Sequence, residues 1–387
     1  MKKIAIDITS LSDQYKNRGI GTYISNIVMH LIEFDDFEWH LLGYKDIANR
    51  FKKASFHSLG EVRMSTPLNL MYFRKEIIPI INKLEPDLYF APNFEKGLPL
   101  RSCKTAVTIH DFSPLINNNF SQKGMIINFL KGLFYKYNFR KAKNADLIIT
   151  ISNFIKEELI RYGFNRNKIE VVYHGLTTDL QKNLKKADNR RMILDKYRIN
   201  KPYLLYYGGL EPNKNVDKLI LAFSKVINKR DLRLVIADKH LYRKDEDIVY
   251  DSKGAEKIFQ LIRKLNISKK VILPKFIEGD DLPVVLAEAE TFIHLSEYEG
   301  FGFAVLEAMS VGTPTIAADR SCYPEIFGKG ALLVDPDDSD NIVESIIRII
   351  DDKSLRKSLI SNGKERIDKY TWEKAASKLV NSFKNAF

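Results

Sequence analysis

The stretch His294–Ala318, HLSEYEGFGFAVLEAMSVGTPTIAA, reads as a strand, a loop, a helix and a second strand in succession. The first strand ends near Leu295 and the loop carries Glu299, Gly300, Phe301 and Gly302. A helix starts near Phe303, with Ala304, Val305, Ala308 and Met309 placed to pack inward. Glu307 then lies one turn into the helix, ~6 Å along at ~1.5 Å per residue, so one acid falls on each side of the helix's amino end. A helix start attracts a phosphate, and carboxylates are good acceptors for diols. The arrangement therefore suits a nucleoside diphosphate sugar. An acidic loop residue and an exposed helix acid would explain either glutamate alone, but not the two glycines between them.

Outward from this stretch, short apolar runs rich in Ile, Val, Tyr and Phe alternate with segments of helical period, the pattern of parallel sheets covered by helices. Strands are expected at Lys3–Ile8, Trp39–Gly43, Asp87–Ala91, Thr105–His110, Asp146–Ile151 and Ile169–Tyr173 in the first half. In the second half they are expected at Tyr203–Tyr207, Arg233–Ala237, Val271–Lys275, Thr291–Leu295, Thr315–Ala318 and Ala331–Val334. Thr177–Lys201 is polar and poor in apolar periodicity, and is read as the connection between two doubly wound α/β domains. Ligands of such sheets bind beyond the carboxyl ends of the strands, so those loops are where chemistry is expected.

Composition is that of a folded globular protein. The chain has 387 residues, 45% hydrophobic and 28% charged, which excludes disordered and collagen-like classes. Its two cysteines, Cys103 and Cys322, support neither a disulfide framework nor a zinc site. No stretch is long and apolar enough for a membrane span, and Asp7 interrupts the opening MKKIAIDITS where a signal peptide needs an apolar run, so a cytoplasmic location is expected. The formal net charge of +12 points to anionic partners without choosing among them.

Three further loops stand out. Gly19 and Gly21 flank Ile20 at the start of an apolar-striped helix, without the third glycine of a dinucleotide fingerprint, so NAD binding is demoted. VTIHDFSPL places His110 at a strand's carboxyl end, where it can meet a hydroxyl or a phosphate. YYGGLEPNKN sets Lys214 just before a helix, an electrostatically unfavourable place for a cation unless an anion joins it there.

Together RGIGTY, VTIHDFSPL, ITISNFIKEEL, VVYHG, YYGGLEPNKN, EGFGFAVLEAMSVGTPTIA and PEIFGKGALLVDPDD resemble, over nearly the whole chain, the retaining GT-B glycosyltransferases of the glycosyl transferases group 1 family, also called glycosyltransferase family four. The resemblance implies an α/β fold of two Rossmann-like domains facing across a cleft. An acceptor domain is expected at 1–178 and a nucleotide-sugar domain at 199–365, with a helix at 366–387 crossing back to the first domain. It further implies Glu299 as the sugar-contacting acid, Glu307 as the ribose-binding acid and Lys214 as the phosphate-binding cation. Phe301, Gly302 and Phe303 would offer backbone amides to the donor, His110 would lie near its sugar, and Gly19 and Gly21 near its phosphates. Phe276 and Ile277 would lie near the base. Many relatives carry Arg-Lys where Asn213-Lys214 stands, and others also carry an arginine where Gly209 stands, so one or two expected cations are missing here.

The reaction so implied is hexose transfer with retention, without a metal or other cofactor, from a nucleotide sugar (GDP-mannose slightly ahead of UDP-sugars) to a glycan or polyprenyl-linked acceptor of a bacterial surface polysaccharide. Residues 121–143 combine lysines and arginine with apolar residues and carry no acid, as expected of a helix lying on an anionic membrane. The competing readings are a nucleotide-sugar epimerase on the same fold and a polyanion-binding protein; no nucleic-acid motif supports a nucleic-acid partner.

Overall fold

The structure is a computed structural model. It describes all residues except 13–18, 61–66, 96–99, 101, 113–124, 177–178, 188 and 245–246, and only the backbone of 67–75, 125–131, 134, 244 and 247. The chain divides into two compact units, Met1–Gly175 with Trp372–Phe387, and Leu176–Thr371.

The first unit is built on a parallel sheet of seven strands: β1 Lys2–Asp7, β2 Phe37–Tyr44, β3 Ser55–Leu59, β4 Leu88–Ala91, β5 Lys104–Ile109, β6 Leu147–Thr150 and β7 Ile169–Val171, in the order β3-β2-β1-β4-β5-β6-β7. Its central strands are buried on both faces, which is why they read as continuous apolar runs. The edge strand β3, SFHSL, is absent from the sequence reading because it alternates polar residues and is only partly covered. The last helix, Trp372–Ala386, belongs to this unit and seats Phe383 against Phe90 and Phe37, at ring centroids 5.2 Å and 6.4 Å away.

The second unit carries β8 Tyr203–Tyr207, β9 Arg233–Ala237, β12 Val271–Ile272, β13 Thr291–His294, β14 Thr315–Ala318 and β15 Leu332–Val334, all parallel in the order β12-β9-β8-β13-β14-β15. The order runs outward from β8 in one direction through β9 and in the other through β13, so β8 and β13 flank a topological switch point. A short antiparallel ribbon, β10 Leu241–Lys244 with β11 Asp247–Tyr250, follows β9 and was not foreseen. Strand β12 stops at Ile272, not Lys275, because the Leu273 carbonyl turns to accept from Arg243 N at 3.1 Å and Lys275 takes a φ of +72°.

Two boundaries are corrected. Residues 179–198, read as an irregular connection, contain the helices Asp179–Lys186 and Arg190–Lys196 and belong to the second unit. They are short, of eight and seven residues, and polar overall, with Leu180 and Leu194 as their buried side chains. The stretch 366–371 closes the preceding helix, Lys353–Ile367, and the terminal helix starts only at Trp372.

Phe383 is fully buried. Phe383→Ala is expected to destabilise the first unit by about 3–5 kcal/mol, read as a lowered urea midpoint; a change below about 1 kcal/mol would show that the terminal helix is not part of that core.

Candidate functional site

The carboxyl ends of β8 and β13 release two loops that are sewn together. Asn215, in the left-handed conformation at φ 53°, donates from its side-chain amide to the Leu295 carbonyl at 2.8 Å and to Glu297 Oε1 at 2.7 Å. The Asn213 carbonyl accepts from Glu297 N at 2.8 Å and from Ser296 Oγ at 3.2 Å. Lys214 sits between these two anchors, closing the short turn Pro212–Lys214 ahead of the helix Val216–Val226. Its ammonium donates to Glu299 Oε1. The expectation of a cation awaiting an anion at the helix start is thus met by a carboxylate of the chain itself. Both side chains of the pair are largely buried. Burial pushes the Glu299 carboxyl up, but the Lys214 ammonium outweighs it, with His294 adding to the effect, and the carboxyl lies below its ordinary range.

Gly302 precedes the helix Phe303–Ser310 at φ +88°, a conformation natural to glycine. A Cβ there would meet Phe327 Cζ at 2.6 Å and Tyr323 Cε1 at 2.7 Å. Two aromatic rings thus close against this glycine. Phe301 is buried and packs edge-on against Phe303 and Tyr370, each 5.4 Å away, so its side chain serves packing and only its backbone can serve a ligand. Glu307 accepts at Oε2 from the Tyr207 hydroxyl, and burial holds its carboxyl above the ordinary value. The two glutamates therefore differ in kind: one is paired with a cation, the other with a neutral phenol.

Sequence reasoning missed His294, the last residue of β13. It is buried, stacks with Tyr206 at 5.6 Å and shares a hydrogen bond of 2.6 Å between Nδ1 and the Tyr323 hydroxyl. Burial lowers its pKa to about 4, so it is neutral at pH 7. A histidine within an apolar strand carries no signal of this in one dimension. Phe276 and Ile277 follow β12, two strands from β8 and so about 10 Å across the sheet. Phe276 is 66% exposed, available to stack on a planar group, whereas Ile277 is buried.

In the first unit His110 is buried beyond β5, and its Nε2 lies 2.9 Å from the Pro92 carbonyl. A carbonyl only accepts, so Nε2 carries the proton and Nδ1 is an acceptor. Burial lowers this ring too to about 4. Tyr23 packs edge-on to it at 4.8 Å and stacks on His174 at 4.6 Å. Gly19 and Gly21 lie within the first turn of the helix Gly19–Leu31 and not in a loop before it; the preceding 13–18 are outside the described residues. No group of three or more His, Cys, Asp or Glu suited to a metal occurs among the described residues.

Because His110 and His294 titrate near 4 when folded and about 6.5 when unfolded, the unfolded chain binds more protons between those values, and stability falls as pH falls through that window. Urea titrations from pH 7 to 4 are expected to show this loss, up to about 3 kcal/mol for each ring, and His294→Gln should flatten the slope; an unchanged slope in the variant would contradict the assigned buried neutral state.

Residues 189–366 match the model of the glycosyl transferases group 1, and residues 17–180 match that of glycosyltransferase family 4. The chain is 29% identical over 300 residues to the O-antigen chain mannosyltransferase B of Escherichia coli, covering 77% of this chain and 74% of that one. It is 27% identical to a Campylobacter jejuni protein, N-acetylgalactosamine-N,N'-diacetylbacillosaminyl-diphospho-undecaprenol 4-alpha-N-acetylgalactosaminyltransferase, over 95% of each chain. The crystal structure of Anabaena HepE in complex with UDP-glucose superimposes with a TM-score of 0.70 at 17% identity over the whole of both chains. Two family models that between them span nearly all of the sequence, and a GT-B fold that extends over its full length, settle the classification: the chain belongs to the group 1 glycosyltransferases of family 4.

Proposed function

We propose that the protein transfers a hexose, with retention and without a metal, from a nucleoside diphosphate sugar to a hydroxyl of a glycan or polyprenyl-linked acceptor in bacterial surface polysaccharide synthesis. The observation that carries this reading is the partly buried Lys214–Glu299 pair next to Gly302 and the helix it starts. A diphosphate entering there takes Lys214 and the helix amides as its positive partners, and Glu299 turns to the sugar hydroxyls. Charge developing on the departing diphosphate is stabilised by groups already in place, the kind of contribution that dominates barriers in water-poor sites. Burial keeps the His110 ring neutral, and with Nε2 donating to the Pro92 carbonyl its Nδ1 can accept from a sugar hydroxyl. The O-antigen mannosyltransferase relative supports mannose as the hexose, hence GDP-mannose ahead of UDP-sugars, and the Campylobacter relative supports a lipid-linked acceptor.

Lys214→Ala is expected to lower kcat/KM by about 10²–10³ while circular dichroism remains that of the folded protein, and Glu307→Ala to raise the donor KM. Assays with GDP-mannose and UDP-glucose, with the anomeric proton followed by NMR, test donor and retention together. Full activity in both variants would sink the site; an inverted product would sink retention alone.

A membrane surface is supported by the helix Met125–Ala142. Where its side chains are described, Leu133, Lys136, Tyr137, Arg140 and Lys141 are exposed while Tyr135, Asn138, Phe139 and Ala142 face inward. Residues 121–124 lie outside the described residues. No described helix is long and apolar enough to cross a membrane, so any association at this face is peripheral. Flotation with anionic vesicles is expected to lose the protein as salt rises and when Lys136, Arg140 and Lys141 are changed together to Glu; equal binding to neutral vesicles would contradict an electrostatic surface.

A further inference from the structure

Tyr207 closes strand β8, and its neighbour Tyr206 points the other way, into the core of the second unit. The Tyr207 ring lies 5.2 Å from that of Phe292 on the adjacent strand β13, which fixes the direction of its hydroxyl. That hydroxyl reaches the helix after β13 and donates to Glu307 Oε2. Further along the same helix, Ser310 Oγ donates to the Glu307 backbone carbonyl at 2.7 Å, so both the main chain and one carboxylate oxygen of Glu307 are held. The other oxygen, Oε1, takes no hydrogen bond from the described residues.

Burial works against charge on this carboxylate, and the phenol hydrogen bond works for it. A carboxylate reads a diol only when ionised, because the protonated acid gives up an acceptor for a donor. Held at one oxygen and charged, Glu307 presents a single acceptor in a single direction. A cation at position 207 would do this with too much success, forming a closed pair like Lys214–Glu299 that a neutral hydroxyl could not compete with. A phenol supplies orientation and ionisation while leaving the acid free to bond elsewhere.

We propose that Tyr207 is a positioning residue that determines affinity for the ribose of the donor, acting through Glu307. This rests on the reading of Glu307 as the ribose-binding acid and adds to it a second residue, absent from the sequence motif, on which the ribose contact depends.

The test is calorimetric binding of GDP and UDP, taking whichever binds more tightly, against its 2′,3′-dideoxy counterpart, in wild type, Tyr207→Phe and Glu307→Ala. Wild type is expected to prefer the ribonucleotide by about 10–100-fold. Tyr207→Phe is expected to weaken the ribonucleotide about 5–10-fold and leave the dideoxynucleotide within about twofold. Because the lost hydrogen bond favoured the charged acid, the pH at which ribonucleotide binding is half lost on the acid side should also rise in this variant. Glu307→Ala should bind both nucleotides alike. A Tyr207→Phe protein that weakens both nucleotides equally, or that keeps the wild-type preference while Glu307→Ala loses it, overturns the role of Tyr207 and spares that of Glu307. A preference retained in Glu307→Ala overturns the ribose reading itself. Thermal midpoints of both variants, expected near wild type, separate these outcomes from misfolding.

Discussion

Asn215 is the stitch on which the site depends. Residues eighty apart in sequence are brought together because β8 and β13 are neighbours in the sheet, but adjacency of strands only brings loops within reach. What fixes them is one side chain in the left-handed region, where asparagine is among the few residues that settle readily. Its amide offers two donors, and both are used across the gap. With the Asn213 carbonyl receiving two bonds from the opposite loop, Lys214 is held on both flanks. Its long side chain then has little freedom to lose when it meets an anion, so the entropy cost that weakens most lysine contacts is largely met by the fold.

The acids of this region are separated by their surroundings. Glu297 belongs to the scaffold: it accepts from Asn215, and the ammonium of Lys218 lies 3.2 Å from it. Arg320 joins from the next strand's loop, bridging towards Asp335 at 2.7 Å and Asp337 at 3.5 Å. The Asp335 and Asp337 pair, which has the spacing of a metal-binding motif, is thus occupied by Arg320 and Lys218. Glu299 faces Lys214 and titrates low; Glu307 faces Tyr207 and titrates high. Environments that push like groups apart are how one loop supplies different chemistry from identical side chains.

Much of this architecture is legible in one dimension. Strands buried on both faces announce themselves as apolar runs, and the Glu299–Gly302–Glu307 spacing survives into three dimensions with the helix beginning at Phe303 as read. What was illegible has a common cause. His294 and Tyr323 look like core residues because they are buried, and Tyr207 reads as one more apolar strand residue; their polar tips matter only through partners on other elements. The helices between 179 and 196 hide because two turns of mostly charged residues, with one buried leucine each, give too short a window in which to tell a helix from a polar connection. His110 was placed correctly at a strand end, but its tautomer follows from the Pro92 carbonyl, which no spacing rule connects to it.

The missing cation at Asn213 gives the Lys214–Glu299 pair a consequence for the order of events. A second cation beside Lys214 would let a diphosphate bind while the pair stayed closed. On the proposed reading the Lys214 ammonium, which has three N–H donors and gives one to Glu299, is shared with a phosphate, and the more it turns to the phosphate the less it gives Glu299. Glu299 would then be a partly buried carboxylate with a weakened partner, which is costly unless hydroxyls of the bound sugar make up the difference. Under the proposed reading a complete nucleotide sugar supplies both halves of the exchange, whereas a bare nucleoside diphosphate supplies only one. On that reading sugar and phosphate recognition would be one coupled event, and the product that has lost its sugar would be the species held less well. If the roles proposed for Lys214 and Glu299 hold, a site short of positive charge would discriminate substrate from product through the carboxylate it would otherwise leave less well partnered.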